Sequence, residues 1–173
     1  FDQVLDSGRY HLGPHSAAFE TEFAAHEGAD EGVACASGSD ALFLALRAYG
    51  IGPGDAVATV ANSFMATAES IARTGAEVVF VDAEPGGRCM DPGDLARFLS
   101  EPVAQRLRAI IPVHLYGRQA DIETIRGVLL VAEREDVHVI GDAAQAHGSP
   151  GVGGLTELSC YSFYPAKNLG ALG

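Results

Sequence analysis

Three segments of this chain carry side chains whose types and setting suit chemistry on a small anionic ligand. In Ser37-Gly38-Ser39-Asp40 a strand-like run gives way to a helix-like one. A helix N-terminus offers unpaired N–H groups and a partial positive charge, Gly38 would let backbone approach a ligand closely, and Ser39 adds a hydroxyl. Plain N-capping is the commoner explanation of Ser and Asp in such a place when the motif stands alone. In HVIGDAAQAHG, Asp142 follows an apolar strand pattern, at the end where ligands bind α/β sheets. Small alanines clear space there, and Gln145 and His147 supply hydrogen-bonding groups. A turn carboxylate is the plainer explanation of Asp142, and His147 is expected to be a satisfied structural histidine rather than a catalyst. In SFYPAKNLG, Lys167 follows an apolar aromatic strand and is flanked by Pro165, Leu169 and Gly170. A loop lysine is ordinarily a solvated charge. One held in partly desolvated surroundings loses proton affinity and becomes a usable amine nucleophile.

An anion cradle, a carboxylate at a strand end and a lysine on a later loop together suit pyridoxal phosphate, which needs one of each for its phosphate, ring nitrogen and aldehyde. A charge pair about 4 Å apart near a protein surface is worth roughly 4 kcal/mol at an effective dielectric of about 20. That is on the order of three pKa units, enough to keep a pyridine nitrogen protonated. Other chemistries fare worse. His11 and His15 are four apart, but Gly13-Pro14 between them breaks the helix that would align them on a metal, and no metal site is expected. The chain has no HExxH, no GxxxxGK[ST], no GxSxG, and no GxGxxG at a strand–helix junction.

These segments need elements to hold them, and the pattern alternates. Helices are expected at His15–His26 (amphipathic, with Phe19 and Phe23 on one face), Asp40–Tyr49, Ser63–Arg73, Asp91–Leu99 and Asp121–Arg134. Gly50 ends the second of these, and Asp91-Pro92 opens the fourth as a cap followed by proline. Strands are expected at Gly32–Ala36, Ala56–Val60, Glu77–Asp82, Arg108–His114, Val137–Ile140 and Ser159–Tyr164, with GSPGVGG (Gly148–Gly154) a surface loop. Short, nearly continuous apolar strands alternating with helices give an α/β fold: a doubly wound, mostly parallel sheet with helices on both faces.

The chain has 173 residues, 47% of them hydrophobic, which is material for one domain with a real core. Its formal net charge of −12 should keep it soluble and repel nucleic acid and anionic membranes. No apolar run approaches the roughly 18 residues of a membrane span, and no leader is expected. The three cysteines, Cys35, Cys89 and Cys160, are scattered without a CxxC, which fits reduced thiols and a cytoplasmic setting. Phe1 is not a start residue and Gly173 closes a Gly-rich loop, so the chain is expected to be a piece of a longer protein.

The chain resembles the sugar aminotransferases of the DegT/DnrJ/StrS type, fold type I pyridoxal phosphate enzymes of the aspartate aminotransferase superfamily. The blocks that carry the resemblance are SGRYHLGPHSAAFETEFAAHEG, SGSDALFLALRAYGIGPGD, NSFMATAESI, VVFVDAEP, IIPVHLYGRQAD, VIGDAAQAHG and SFYPAKNLGALG. The resemblance implies pyridoxal 5'-phosphate as cofactor, with Lys167 as the lysine that takes its aldehyde and Asp142 as the partner of its ring nitrogen. It places Gln145 beside the ring hydroxyl, Gly38, Ser39 and Ser162 at the phosphate, and Phe64 on the ring face, although Phe64 alone would read as helix-face packing. Gly8–Tyr10 and His114 resemble parts of the site wall. The family usually has an acidic residue where Gly141 stands, and its loop between His147 and Ser159 is usually longer. By resemblance residues 1–173 hold most of the large domain, truncated after the lysine loop, without the C-terminal small domain. The implied reaction moves an amino group from glutamate or glutamine to a nucleotide-linked keto-deoxysugar in amino-sugar or antibiotic biosynthesis, in a homodimer. A keto-cyclitol acceptor with glutamine as donor, or a catalytically silent fragment of the same fold, are the alternatives.

Overall fold

A computed structural model describes residues 1–171; Leu172 and Gly173, the end of the SFYPAKNLGALG block, lie outside the described residues. Strands β1 (Ala56–Val60), β2 (Glu77–Val81), β3 (Leu107–Ile111), β4 (His138–Asp142) and β5 (Leu158–Cys160) form one sheet in the order β2-β1-β3-β4-β5. Every pairing is parallel. The helices are α1 (Asp2–Ser7), α2 (Pro14–Glu27), α3 (Gly38–Ala48), α4 (Met65–Thr74), α5 (Pro92–Phe98) and α6 (Ile122–Val131).

Alternation along the strands divides the core into two layers. Val57, Ile111 and Ile140 meet Leu42 and Leu46 of α3 and Ile71 of α4 on one face. Ala58, Val60, Ile110 and Val139 meet Leu95 and Phe98 of α5 and Ile125 and Leu129 of α6 on the other. Helices therefore cover both faces, and the sheet is doubly wound as expected. The winding direction reverses between β1 and β3, and in such sheets the ligand crevice opens beyond the carboxyl ends at that reversal.

Several expected elements differ. Gly32–Ala36 is not a strand: it is extended coil with Val33 86% exposed, and its outward hydrogen bond runs from the Ala34 N–H to Glu20 Oε1 at 2.7 Å. A short apolar run satisfies the composition of a strand, but without a neighbouring ladder its backbone stays unpaired. The last strand is shorter than Ser159–Tyr164, because β4 ends at Asp142, which registers with Cys160. Tyr161–Tyr164 continue past the sheet and carry the lysine loop outward. Beyond Ile111, Val113 keeps only an isolated bridge to Asp142.

GSPGVGG is also more than a surface loop. Val152 and Gly153 are buried in a single 3-10 turn that packs against the end of α2. A Cβ on Gly153 would lie 2.6 Å from the Glu27 carbonyl oxygen, so only glycine allows this approach. Glu27 is itself buried, and its carboxylate accepts from the Gly148 N–H and the Tyr161 hydroxyl, both at 2.8 Å. Phe23 stands edge-on to Tyr161 and Phe163 at ring separations of 4.9 and 5.1 Å. Helix α2 is thereby clamped to the segment that leads to Lys167.

Candidate active site

Asp142 is the last residue of β4 rather than the first after it, and the two-residue period points it to the α3/α4 face with Ile140. Its backbone is fixed from both sides: its N–H donates to Pro112 O, and its carbonyl accepts from the His114 N–H, each at 3.0 Å. The side chain is 5% exposed. Oδ2 accepts from the Thr67 hydroxyl at 2.8 Å, and Oδ1 from the Ala144 N–H at 3.2 Å. Burial pushes the carboxyl pKa up, against those two hydrogen bonds and the positive charge of Lys167.

Lys167 and Gln145 line one cavity of about 350 Å³, together with Tyr116, Ala166 and Asn168. The Lys167 ammonium lies 5.9 Å from the centroid of the Phe64 ring, which is 69% exposed. Phe64 occupies the N-cap of α4 in extended conformation, so the ring projects from the sheet's carboxyl edge instead of packing on a helix face. Gln145 Oε1 accepts from the Tyr116 N–H at 2.9 Å. That bond braces a residue in the left-handed region (φ 55°), where a side chain is uncommon.

At α3 the capping explanation holds for Ser37, whose hydroxyl accepts from the Asp40 N–H at 3.1 Å. The N–H groups of Gly38 and Ser39 have no acceptor among the described residues. A Cβ on Gly38 would lie 2.6 Å from Ser162 Cβ and 3.2 Å from its hydroxyl. The absent side chain thus brings the Ser162 hydroxyl, whose oxygen accepts from the Tyr164 N–H at 3.4 Å, close to two N–H groups without acceptors among the described residues. Ser70 donates to Ser39 O at 3.0 Å and ties this turn to α4.

His114 and Gly8–Tyr10 do not line the cavity. His114 is fully buried on the opposite face of β4. Its Nδ1 accepts from the Ala120 N–H at 3.1 Å, so Nε2 carries the proton, and that nitrogen has no partner among the described residues. Burial lowers its pKa from 6.5 to about 4. Nε2 lies 3.3 Å from where a Gly141 Cβ would stand, beside the hydroxyls of Thr156 and Ser159 at 3.0 and 3.4 Å. The buried Nε2–H of His114 thus stands beside Gly141 without a partner among the described residues. His147 is structural, but packed rather than hydrogen-bonded: its ring sits among Phe23, Tyr161 and Phe163, and neither nitrogen has a partner among the described residues.

Sequence reasoning missed Thr67 and Tyr116. Thr67 stands three residues past Phe64 on the same helix, so its spacing was a usable signal. Tyr116 offered none, because a left-handed tyrosine is set by tertiary contacts.

Together these features define a doubly wound α/β protein with a lysine in a cavity, a buried carboxyl group at a strand end and an open helix N-terminus. The chain belongs to the DegT/DnrJ/EryC1/StrS aminotransferase family, whose model matches residues 1–173. It is 46% identical to a pleiotropic regulatory protein of Geobacillus stearothermophilus, over 99% of this chain and 45% of that protein. It is 42% identical to a dTDP-3-amino-3,4,6-trideoxy-alpha-D-glucose transaminase of Streptomyces venezuelae, over 99% of this chain and 44% of that protein. The crystal structure of NtdA from Bacillus subtilis with bound cofactor PMP matches with a TM-score of 0.89 at 34% identity, over 99% of this chain and 38% of that one. The chain spans about half the length of the curated relatives it matches.

Proposed function

We propose that this chain supplies most of the cofactor-binding domain of a pyridoxal 5'-phosphate-dependent aminotransferase that moves an amino group from glutamate or glutamine to a nucleotide-linked keto-deoxysugar. The observation that carries this reading is the buried Asp142 carboxyl within the field of Lys167, whose ammonium stands over the Phe64 ring. Family membership, the transaminase name of the Streptomyces relative and the PMP of the Bacillus structure point the same way.

The residues fit the cofactor. Gly38, Ser39 and Ser162 would present two N–H groups and a hydroxyl to its phosphate, in a gap that a Gly38 side chain would fill. Phe64, whose ring faces Lys167, would cover one face of the cofactor ring, and Gln145, in the cavity with Lys167, would stand beside the ring hydroxyl. Asp142 would hold a proton at the ring nitrogen, and Thr67 holds Asp142. When bound, the cofactor supplies an aldehyde and an electron-withdrawing protonated ring. Lys167 supplies the amine for that aldehyde. Once freed by the donor's amine, its own amine would serve as the general base that moves the proton of the donor's α-carbon.

We place the protein in the cytoplasm as a homodimer. Cys89 and Cys160 are buried free thiols, as a reducing compartment allows. Phe64, Met65, Tyr116, Tyr164 and Leu169 are large apolar side chains left exposed, surface that a second copy would cover. The test is colour. Purified protein mixed with pyridoxal 5'-phosphate should develop a visible absorption that L-glutamate or L-glutamine bleaches, and a colourless, unresponsive chain would favour a silent fragment. Nucleotide-linked keto-sugars and keto-cyclitols, offered in parallel, then separate the acceptor classes.

A further inference from the structure

We propose that Arg88 is the oxyanion-recognising residue at the mouth of this site, a proposal that rests on the functional reading above. Residues 83–90 form a tight loop between β2 and α5. An antiparallel bridge joins Ala83 to Met90, the Glu84 N–H donates to Cys89 O at 3.0 Å, and the Asn62 side-chain amide donates to Arg88 O at 3.1 Å. Cys89 and Met90 are buried beneath the loop, so its base is anchored. Arg88 points the other way. Its guanidinium lies 5.4 Å from the centroid of the Tyr116 ring, and Tyr116 lines the cavity that holds Lys167, Gln145 and Asn168.

That guanidinium makes no hydrogen bond and no ion pair with any of the described residues, although the chain has an excess of carboxylates. The nearest loop carboxylate, Glu84, is turned to Arg118 at 3.5 Å. A guanidinium held near an aromatic ring face by cation–π attraction keeps its N–H groups free for two parallel bonds to an oxyanion. In a chain of net charge −12 such a group offsets repulsion of an anionic substrate where it enters.

The shared chemistry is a carboxylate or phosphate oxyanion, and two reactants bring one: the amino donor through its carboxylates, and a nucleotide-linked sugar through its diphosphate. The probes are glutarate for the first and dTDP and UDP for the second. Each is titrated calorimetrically into the protein loaded with pyridoxal 5'-phosphate and, separately, into the unloaded protein. We expect Arg88→Gln to weaken binding of one probe class at least tenfold, with Arg88→Lys intermediate. Arg106→Gln, which removes an equal charge beside Glu77 at the amino end of the sheet, should change neither class by more than twofold. Loss confined to glutarate assigns Arg88 to the donor, and loss confined to the nucleotides assigns it to the acceptor. Unchanged binding of both classes in Arg88→Gln, or an equal loss in Arg106→Gln, overturns the proposal. Borohydride trapping of the cofactor on each variant keeps the failures apart. An adduct present with unchanged oxyanion binding refutes the role of Arg88 alone, whereas no adduct on the unaltered chain refutes the functional reading beneath it.

Discussion

The Thr67 hydroxyl donates to Asp142 Oδ2 at 2.8 Å, so the first turn of α4 holds the carboxyl at the end of β4. Ser63 lies 2.8 Å from the same hydroxyl and can donate to it, extending the relay by one group. Thr67→Val should leave a buried carboxylate short of one partner, at a cost of about 1–2 kcal/mol. Thr67→Ser should recover most of it. Urea denaturation of the three proteins checks both expectations.

Asp142 itself should trade stability for chemistry. Burial raises its folded-state pKa, so its stabilising share is complete below the ordinary value of 3.8 and is lost as pH rises through the folded-state value. Without added cofactor, Asp142→Asn should melt above the unaltered chain at pH 8, and the gap should close towards pH 4. The same variant should lose amino transfer. A lower melting temperature at pH 8 would show that the carboxylate is not strained in the empty site.

His114 gives the opposite slope. Its folded-state pKa of about 4 lies below 6.5, so the unfolded chain binds the extra proton and stability falls as pH drops from about 6.5 towards 4. The full effect is about 3 kcal/mol. His114→Asn keeps an acceptor for the Ala120 N–H and should flatten this acid limb, as chemical denaturation at several pH values would record.

Gly38→Ala places a methyl 2.6 Å from Ser162 Cβ, so the turn or the strand end must move. Overpacking of this kind costs about 1–3 kcal/mol. More tellingly, affinity for pyridoxal 5'-phosphate should fall well beyond that for pyridoxal, because the phosphate cradle is what the methyl distorts. Parallel titrations with the two aldehydes measure the difference.

What could be read from the sequence was local. Pro92 after Asp91, Gly50 after the Asp40–Tyr49 run and the apolar AVATV segment each state their element through backbone chemistry alone, and the structure places α5, α3 and β1 accordingly. Gly32–Ala36 was misread because pairing is non-local: its composition suits a strand, yet its ladder depends on residues elsewhere. Lys167 and Gln145, which share a cavity, and Gly38, which packs on Ser162, were legible through their blocks, although the segment before Gly38 is coil and not the expected strand. Thr67 and Arg88 were not, since each gains its meaning from a partner on another element: Asp142 for one, Tyr116 for the other.

The most direct test is covalent. Protein treated with pyridoxal 5'-phosphate and borohydride, then digested and weighed by mass spectrometry, should carry one reduced adduct, on Lys167, and Lys167→Ala should carry none. An adduct on another lysine cannot arise, as Lys167 is the chain's sole lysine. The informative comparison is therefore Asp142→Ala, in which we expect the adduct to form at least tenfold less readily at low cofactor concentration. Equal trapping in that variant, or none in the unaltered chain, would contradict the pairing of amine and carboxyl group around one small ring.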